Sequence, residues 1–193
     1  MCELTALQQK FSCGCGEMDL RFWEPLAKHT SFRIGGGAEI MAFPKTPEEL
    51  SQLLKLSNLL DCKPAILGAG TNVLAPDEGM NGLVICLKDC LNGMQQLDET
   101  HLQVMAGVTM ARAAVFAAGL GLGGMEFAHG IPGTVGGGVY MNAGAYGGEL
   151  GQIVDQVEIM DDSGNIHCLS REEMHFSYRH SRMEEESAIV LSA

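Results

Sequence analysis

Residues 130 to 149 form the segment with the clearest potential for ligand chemistry, and they read GIPGTVGGGVYMNAGAYGGE. Twelve of the 25 glycines of the chain lie between Gly119 and Gly148. Because glycine has no Cβ atom, successive residues can turn their amide N–H groups toward an anionic or polar ligand. A series of tight turns or bulges without a ligand would also use glycine. The interleaved Pro, Thr, Tyr and Asn residues favour a ligand-binding loop.

A second glycine turn follows a predicted strand in the first half of the chain. Residues 65 to 67 read as a buried strand that runs directly into the turn Gly68-Ala69-Gly70-Thr71-Asn72. The turn lacks the third glycine and the downstream acidic residue of a Rossmann fingerprint, and no G-x-x-x-x-G-K-[ST] sequence occurs in the chain. Two separated glycine loops could instead hold an extended ligand, such as a dinucleotide, at two points.

Strand and helix patterns alternate around these two segments. Alternating or apolar runs predict strands at 38–43, 65–67, 83–87, 102–106, 154–160 and 166–169. Thr46 and Thr109 predict helix N-caps, with Glu49 completing a capping box after Thr46 and Gly119 ending the second helix. Residues 162 to 165, Asp-Ser-Gly-Asn, predict a hairpin turn, and residues 170 to 173 resemble another capping box.

This pattern predicts an α+β fold with two small lobes. The predicted organisation is an N-terminal leader at 1–24, a first subdomain at 25–90 and a second subdomain at 91–193, with the boundary near residues 88 to 93. A chain of 193 residues is long enough for each lobe to have its own core.

Charge and hydropathy exclude several classes of partner. The chain has 24 acidic and 12 basic residues and a formal net charge of −12, which opposes nonspecific binding to nucleic acid or to an anionic membrane. No apolar run is long enough to span a bilayer, and the first residues lack the pattern of a signal peptide. We therefore expect a cytosolic protein without nucleic-acid or membrane partners, whose oligomeric state the sequence leaves open.

The seven cysteines indicate reduced thiols and not a disulfide framework, because their number is odd and two of them lie in or beside an apolar strand-like run. Cys13 and Cys15 form a C-x-C pair, but no second Cys/His pair at zinc-like spacing accompanies it. We predict no metal site. The alternative for these two residues is a mobile N-terminal tail.

Four ordered motifs give the chain a specific resemblance. TSFRIGG at 30–36, LGAGTNVLAPDEG at 67–79, EFAHGIPGTVGGGVYMNAGAYGGEL at 126–150 and FSYRHS at 176–181 resemble the bacterial UDP-N-acetylenolpyruvoylglucosamine reductases, also called UDP-N-acetylmuramate dehydrogenases. The resemblance covers most of residues 25 to 193. It implies an FAD-binding fold of the PCMH type, with two α+β subdomains that hold the flavin between them, and a role in peptidoglycan precursor synthesis.

The resemblance also implies the residues that bind FAD without a covalent bond. Backbone N–H groups and the Thr71 and Asn72 side chains would hold the pyrophosphate, and the second segment would contact the flavin end and the linking phosphates. The implied cofactor-binding residues are Gly68, Ala69, Gly70, Thr71, Asn72, Gly130, Ile131, Pro132, Gly133, Thr134, Gly136, Gly137, Asn142, Ala145 and Tyr146.

Arg179 matches the catalytic arginine of the family. By the resemblance it lies at the enolpyruvyl group of the substrate and stabilises negative charge that develops during reduction, which suits a permanently protonated guanidinium with two donors. Tyr178 could donate a hydrogen bond to the substrate. A solvated salt-bridge patch with the nearby glutamates is the alternative for this pair. Arg33 could support a phosphate or form a surface ion pair.

The resemblance implies that NADPH reduces FAD and that the enolpyruvyl ether of UDP-N-acetylglucosamine then receives a hydride. The family's proton-donating serine segment and its C-terminal glutamate have no counterpart in this sequence. We therefore expect residues 1 to 193 to be an N-terminal fragment or truncated product that binds FAD with lost or reduced turnover. The alternatives are a catalytically incomplete flavin-binding module and another FAD-linked oxidoreductase of the same fold.

His129 departs from the family, which has a small residue before the Gly-Ile-Pro turn. Some relatives of the fold attach FAD through a histidine. A structural or solvent-facing histidine is the preferred interpretation at this position.

Overall fold

The computed structural model describes residues 4–88 and 90–193. The first three residues of the predicted leader, and Asp89 within the predicted boundary, lie outside the described residues. The chain forms two compact units, one made of Met1–Cys90 with Asp162–Gly164 and the other of Leu91–Asp161 with Asn165–Ala193. Both units combine helices and strands, so the predicted α+β class is confirmed.

The first unit contains a mixed four-stranded sheet. Its helices are α1 (Ala6–Cys15) and α2 (Pro47–Leu59), and its strands are β1 (Asp19–Pro25), β2 (Gly37–Phe43), β3 (Ala65–Leu67) and β4 (Met80–Cys86). The strand order is β1-β2-β4-β3, with β1 antiparallel to β2 and the two remaining pairs parallel. One side of this sheet contributes to a core that includes Met41, Leu67 and Val84.

The helix α2 begins as its sequence predicts. The Thr46 side chain accepts a hydrogen bond from the Glu49 amide at 3.2 Å, and Pro47 is the first helical residue. Leu50, Leu53 and Leu54 are buried on one face of the helix, as an amphipathic pattern requires. The Glu49 carboxylate accepts from the Lys45 amide at 2.7 Å, one residue before the cap, so the predicted capping box is only half formed.

The described part of the predicted leader at 1–24 contains α1 and most of β1. The Thr5 side chain accepts from the Gln8 amide, and the Gln8 side chain accepts from the Thr5 amide, which completes a capping box that the sequence T-x-x-Q already encodes. Phe11 is fully buried and Cys15 is nearly so. The expectation of a mobile tail is therefore wrong for the described residues, because the apolar face of α1 packs into the unit.

The second unit combines short hairpins with a three-stranded antiparallel sheet of order β10-β9-β11. Its helices are α3 (Met110–Gly119) and α4 (Val135–Tyr140), and its strands are β5 (Met94–Gln96), β6 (Leu102–Val104), β7 (Gly144–Ala145), β8 (Gly148–Glu149), β9 (Gln156–Asp161), β10 (Ile166–Ser170) and β11 (Ala188–Ser192). Short 3₁₀ helices at Glu126–Gly130, Leu150–Gln152 and Arg182–Glu184 join them. Met110, Leu150, Met174 and Met183 are almost completely buried.

Ser170 to Glu173 form the hydrogen bonds of a capping box without a helix. The Ser170 side chain accepts from the Glu173 amide at 3.3 Å, and the Glu173 carboxylate accepts from the Ser170 amide at 2.8 Å. The following residues form turns, and His175 has a φ of 48°, which a continuing right-handed helix does not allow. Within the described residues, no helix directly follows this motif for that reason.

No helix in the described ranges is long and apolar enough to cross a membrane. Cys13 is exposed and Cys15 is buried, and burial raises the pKa of the Cys15 thiol. Over residues 4–88 and 90–193, no three His, Cys, Asp or Glu side chains are grouped so that they could hold a metal ion.

Candidate functional site

A cavity of about 250 Å³ lies within the second unit. It is lined by Asn142, Gly144, Ala145, Gly147, Gly148, Glu149, Tyr178 and Arg179. Four of these residues are site residues predicted from the sequence: Asn142, Ala145, Tyr178 and Arg179. Tyr178 and Arg179 follow the other two by at least 33 positions in the chain. The fold therefore brings together two motifs that are distant in the chain.

One wall of the cavity is the β-hairpin of β7 and β8. Gly144 pairs with Glu149 and Ala145 pairs with Gly148, which leaves Tyr146 and Gly147 as a two-residue loop. Both loop residues have positive φ, 53° and 86°, as a type I′ turn requires. A Cβ on Gly144 would be 2.7 Å from the Gly148 carbonyl oxygen, so this position admits only glycine without displacement. The wall is mostly backbone, with the Tyr146 side chain 97% exposed at its tip.

The opposite motif is a tight turn that presents Tyr178 and Arg179. The Ser177 and His180 backbones exchange two hydrogen bonds, at 3.1 and 3.2 Å, across this two-residue turn. Arg179 has a φ of 56°, and its guanidinium lies 5.7 Å from the centre of the Tyr178 ring. In the part of the chain that the structure describes, no carboxylate is within ion-pair distance of Arg179. The salt-bridge patch that was the alternative for Arg179 does not form there.

Nearby acids pair with other bases instead. His180 is 2.9 Å from Glu184 and 3.7 Å from Glu185, and Arg182 pairs with Glu186. These contacts engage the glutamates that follow the turn, and within the described residues Arg179 is left without an acidic partner.

Asn142 connects the two motifs. Its side-chain amide donates to the Ser177 carbonyl at 2.8 Å, and its side-chain oxygen accepts from the Gly151 amide at 2.8 Å. The residue is 1% exposed and has a φ of 44°, a conformation that asparagine tolerates better than most residues. Both polar side-chain atoms of Asn142 are therefore bonded to protein, and the first of these bonds ties the glycine segment to the turn that carries Arg179.

The first half of the glycine segment is partly helical, which corrects the prediction of a continuous loop. Thr134 is buried and caps α4, with its hydroxyl accepting from the Gly137 amide at 3.4 Å. A Cβ on Gly136 would be 2.8 Å from Ala106, and one on Gly138 would be 2.9 Å from Leu150. These two glycines allow α4 to pack closely against its neighbours. The sequence predicted a loop here because glycine is usually a turn residue.

Four of the remaining predicted residues of this segment precede α4, and Gly137 lies within it. Gly130 ends a 3₁₀ helix and is exposed, as is Pro132, while Ile131 and Gly133 are half-buried. Gly133 has a φ of 133°, and its carbonyl accepts from the Met110 amide at 3.0 Å. Gly137 lies on the exposed side of the helix. Among the predicted cofactor-binding residues at 130–137, the exposed ones are thus Gly130, Pro132 and Gly137.

In the first unit, residues 68 to 72 form a turn directly after β3, as predicted. Gly70 has a φ of 62°, and a Cβ at this position would overlap the His29 carbonyl oxygen. The Gly70 carbonyl accepts from the Ser31 amide at 2.9 Å. Asn72 is exposed, whereas Gly68, Ala69 and Thr71 are half-buried. The turn is held against residues 29 to 31 through backbone contacts that need glycine.

An ion pair fixes the segment against which Gly70 packs. The His29 ring is 3.0 Å from the Glu24 carboxylate, and the Lys28 ammonium is 3.5 Å from the same oxygen. The hydrogen bond from His29 lowers the pKa of Glu24 most, and the charge of Lys28 lowers it further. These contacts hold the His29 side chain, and the backbone carbonyl of the same residue lies against Gly70.

Arg33 and His129, for each of which the sequence left two interpretations open, are both exposed. Arg33 has a φ of 55° and donates its amide to the Thr30 carbonyl at 3.2 Å, and it has no ion pair within residues 4–88 and 90–193. His129 lies in the 3₁₀ helix before the Gly-Ile-Pro turn.

Sequence reasoning missed Glu149 and the glycines at 144, 147 and 148 as cavity residues. The motif GAYGGE gives only a weak signal for this hairpin, because the first loop position holds Tyr146 and not the Asn, Asp or Gly that favour a type I′ turn.

Comparison with known proteins defines the class. Residues 38–170 match the family model of the FAD binding domain, and the chain belongs to this family. Its cofactor is FAD. The particular resemblance to the UDP-N-acetylenolpyruvoylglucosamine reductases is confirmed.

Two such reductases are each 43% identical to this chain over 91% of its length, one from Lactobacillus acidophilus and one from Clostridioides difficile. The chain covers 58% and 57% of their lengths, less than two thirds in both cases. The crystal structure of the UDP-N-acetylenolpyruvylglucosamine reductase MurB from Thermus caldophilus superimposes with a TM-score of 0.71 at 31% identity, over 91% of this chain and 60% of that one.

Proposed function

We propose that this chain binds FAD without a covalent bond and supplies the flavin-binding part of an NADPH-dependent UDP-N-acetylenolpyruvoylglucosamine reductase. The substrate would be UDP-N-acetylglucosamine enolpyruvate and the product UDP-N-acetylmuramate, a peptidoglycan precursor. The observation that carries this proposal is Arg179, which lines a cavity formed by the glycine segment and has no acidic partner within the described residues. The similarity to reductases of this activity supports it.

The first unit has a surface whose chemistry fits a dinucleotide. The exposed apolar side chains Phe32, Ile34, Val73 and Leu74 belong to the two segments that meet at Gly70. Exposed apolar groups beside a backbone-rich turn suit a ligand with both rings and phosphates. We propose that residues 68 to 72 hold the pyrophosphate through backbone N–H groups.

The second unit offers a complementary set of groups. The β7–β8 hairpin presents backbone of Ala145 and the exposed ring of Tyr146, and Gly130 and Pro132 are also accessible. We propose that these residues contact FAD. Asn142 would act through the turn that it positions and not by direct contact, because both of its polar side-chain atoms already bond to protein.

FAD, once reduced by NADPH, would supply the hydride for the vinyl carbon of the substrate. Arg179 would hold the carboxylate of the enolpyruvyl group through two N–H donors and stabilise the negative charge that builds on it during hydride addition. Tyr178 is 85% exposed beside this guanidinium, and its hydroxyl would donate a hydrogen bond to the substrate. Because NADPH and the UDP-sugar are intracellular metabolites, we propose a cytoplasmic location.

Reconstitution with FAD tests the first part of the proposal. The purified chain should develop the visible absorption of a bound flavin, and acid precipitation should release all of it into the supernatant. Anaerobic NADPH should then bleach this absorption. A preparation that stays colourless after incubation with FAD would refute the proposal.

Substitution of Arg179 tests the second part. Addition of UDP-N-acetylglucosamine enolpyruvate to the flavin-loaded chain should perturb the flavin spectrum, and Arg179→Met should raise the Kd about 10- to 100-fold, the cost of losing a charge-assisted contact. Arg112→Met is the matched control, since Arg112 is an exposed arginine of the same unit and lies outside the cavity. An equal effect of the two substitutions would contradict the role of Arg179. Failure of this sugar to bind, with FAD bound, would favour another FAD-linked oxidoreductase of the same fold.

A further inference from the structure

Glu149 lines the same cavity as Arg179 and has no assigned role. It ends the strand β8, and it is half-buried. In the part of the chain described here, its carboxylate has neither a hydrogen bond nor an ion pair. An unpaired carboxylate that lines a cavity is an acceptor that an N–H or O–H group of a ligand can engage.

The cavity holds two opposite charges that do not neutralise each other. Glu149 and Arg179 both line it, yet they form no ion pair with one another in the described structure. Elsewhere after the Arg179 turn, acids and bases pair directly at distances near 3 Å. The separation of these two charges leaves one hydrogen-bond acceptor and one cationic donor facing a single volume.

The hairpin fixes the position of Glu149. Gly144 pairs with it across the two strands, and a Cβ on Gly144 would be 2.8 Å from the Glu149 Cβ. The absence of a side chain at Gly144 therefore leaves room for Glu149 beside the strand backbone. Because the Tyr146-Gly147 loop is a tight type I′ turn, the glutamate has little backbone freedom.

We propose that Glu149 is a ligand-binding residue that accepts a hydrogen bond from an N–H or O–H group, while Arg179 holds a carbonyl or carboxylate oxygen of the same ligand. This inference rests on the proposed function. Two sources offer this chemistry: the imide edge of the flavin, where an N–H lies between two carbonyls, and the enolpyruvyl sugar, which combines a carboxylate with hydroxyl and amide donors.

The charge and size of the cavity restrict what it can hold. A phosphate group offers a carboxylate repulsion and no strong donor, so Glu149 would disfavour the pyrophosphate in this position. A volume of about 250 Å³ is smaller than the roughly 300–1,000 Å³ typical of sites for whole drug-sized ligands. One ring or one sugar end fits this description better than an entire dinucleotide.

Titration of three variants with two ligands tests the proposal. FAD is titrated into the wild-type chain, Glu149→Ala, Glu149→Gln and Glu172→Gln, and each flavin-loaded protein is then titrated with UDP-N-acetylglucosamine enolpyruvate. Glu172 is the matched control, because it is an exposed glutamate of the same unit outside the cavity. Glu149→Ala should raise the Kd of one ligand at least tenfold, and Glu149→Gln should raise it less, since the amide keeps an acceptor oxygen.

The outcomes distinguish FAD from the sugar as the donor, and they distinguish a failure of the Glu149 role from a failure of the proposed function. A weaker affinity for FAD supports the flavin as the donor, and a weaker affinity for the sugar alone supports the substrate. Unchanged affinities for both, in variants whose circular dichroism and melting match the wild type, would overturn the role of Glu149 while FAD binding stands. If Glu149→Ala fails to fold, Glu149→Gln decides by the same criteria. A wild-type chain that binds neither ligand would refute the proposed function and this inference together.

Discussion

Replacement of Asn142 by alanine should destabilise the second unit and weaken ligand binding at Arg179. The Asn142 side chain forms two hydrogen bonds of 2.8 Å, one to the Ser177 carbonyl and one from the Gly151 amide. Alanine has no side-chain amide, so both hydrogen bonds are lost at once. The Gly151 amide is buried, and the Ser177 carbonyl is partly buried, so water replaces the lost bonds incompletely.

The expected loss of stability is about 2.5–6.5 kcal/mol. An unsatisfied buried amide costs about 1–3 kcal/mol, and a partly buried carbonyl about 0.5–1.5 kcal/mol. Alanine at the φ of 44° that Asn142 adopts adds about 1–2 kcal/mol, since only glycine, asparagine and aspartate adopt this region readily. The sum is a large fraction of the 5–15 kcal/mol that stabilises a typical domain.

Urea unfolding followed by intrinsic fluorescence measures this loss. The single tryptophan, Trp23, lies in the first unit, and the three tyrosines lie in the second. The tyrosine-detected transition should shift by roughly 1–3 M urea, given a slope of about 2 kcal/mol per M. Asn142→Gly is the matched control: it removes the same hydrogen bonds without the strain, so it should be less destabilised than Asn142→Ala by the 1–2 kcal/mol assigned to the backbone.

The same variant tests whether Asn142 acts through the turn at Arg179. If it does, Arg179→Met should weaken substrate binding less in the Asn142→Ala background than in the wild type, because the guanidinium is already displaced. A tyrosine transition within about 0.5 kcal/mol of wild type, the usual range for a surface substitution, would refute the stability argument. Fully additive binding losses would refute the positioning role.

Two further predictions concern the first unit and the solvent-exposed surface. Gly70→Ala should abolish FAD binding and destabilise the first unit by more than about 1–2 kcal/mol, because the strain of positive φ is joined by overlap with the His29 carbonyl oxygen; FAD titration and tryptophan-detected unfolding measure both effects. The hydrogen bonds that the His101 ring donates to Asp98 and then to Asp155 raise the pKa of His101. Its contribution to stability is therefore complete below the unfolded value of about 6.5 and is lost as pH rises through the higher folded value, and melting temperatures across this range measure it.

Matched variants separate these effects from general damage. Gly121→Ala places alanine at a φ of 77° with no atom within 4 Å of the new Cβ, so it should show the strain cost alone and leave FAD binding intact. His101→Gln should flatten the pH dependence of melting between about pH 6 and 8, and an unchanged slope would contradict the assignment to this histidine. Equal losses in the two glycine variants would contradict the contact with His29.

The sequence predicted best where a local signal was sufficient. The two threonine caps, the strand at 65–67 and the hairpin at 162–165 each depend on a few adjacent residues, and all four are present. The capping box at 170–173 shows the limit of such signals. Its hydrogen bonds form, but whether a helix follows is decided by packing of the next residues, which a four-residue motif does not contain.

The residues of the candidate site were predictable from the sequence, but which of them face the cavity and which support the others was not. The family resemblance assigned Asn142 and Ala145 to FAD, and Tyr178 and Arg179 to the substrate. The structure brings all four to one cavity. That Asn142 supports the others depends on a hydrogen bond to a residue 35 positions away. The sequence marks no such pairing, because any buried carbonyl could have accepted that amide.

The glycines illustrate why residue type alone does not identify a contact with a ligand. Gly136 and Gly138 lack side chains because Ala106 and Leu150 occupy the space, so a larger residue there would disrupt the packing of α4 whether or not FAD is present. A Cβ on Gly147 would have no atom within 4 Å, and the φ of 86° at this residue demands glycine for the turn itself. The same residue type thus serves packing, turn geometry and access to the cavity within twelve residues. A loss of FAD binding on substitution of one of these glycines is therefore specific only when the fold of the second unit is measured in the same variant.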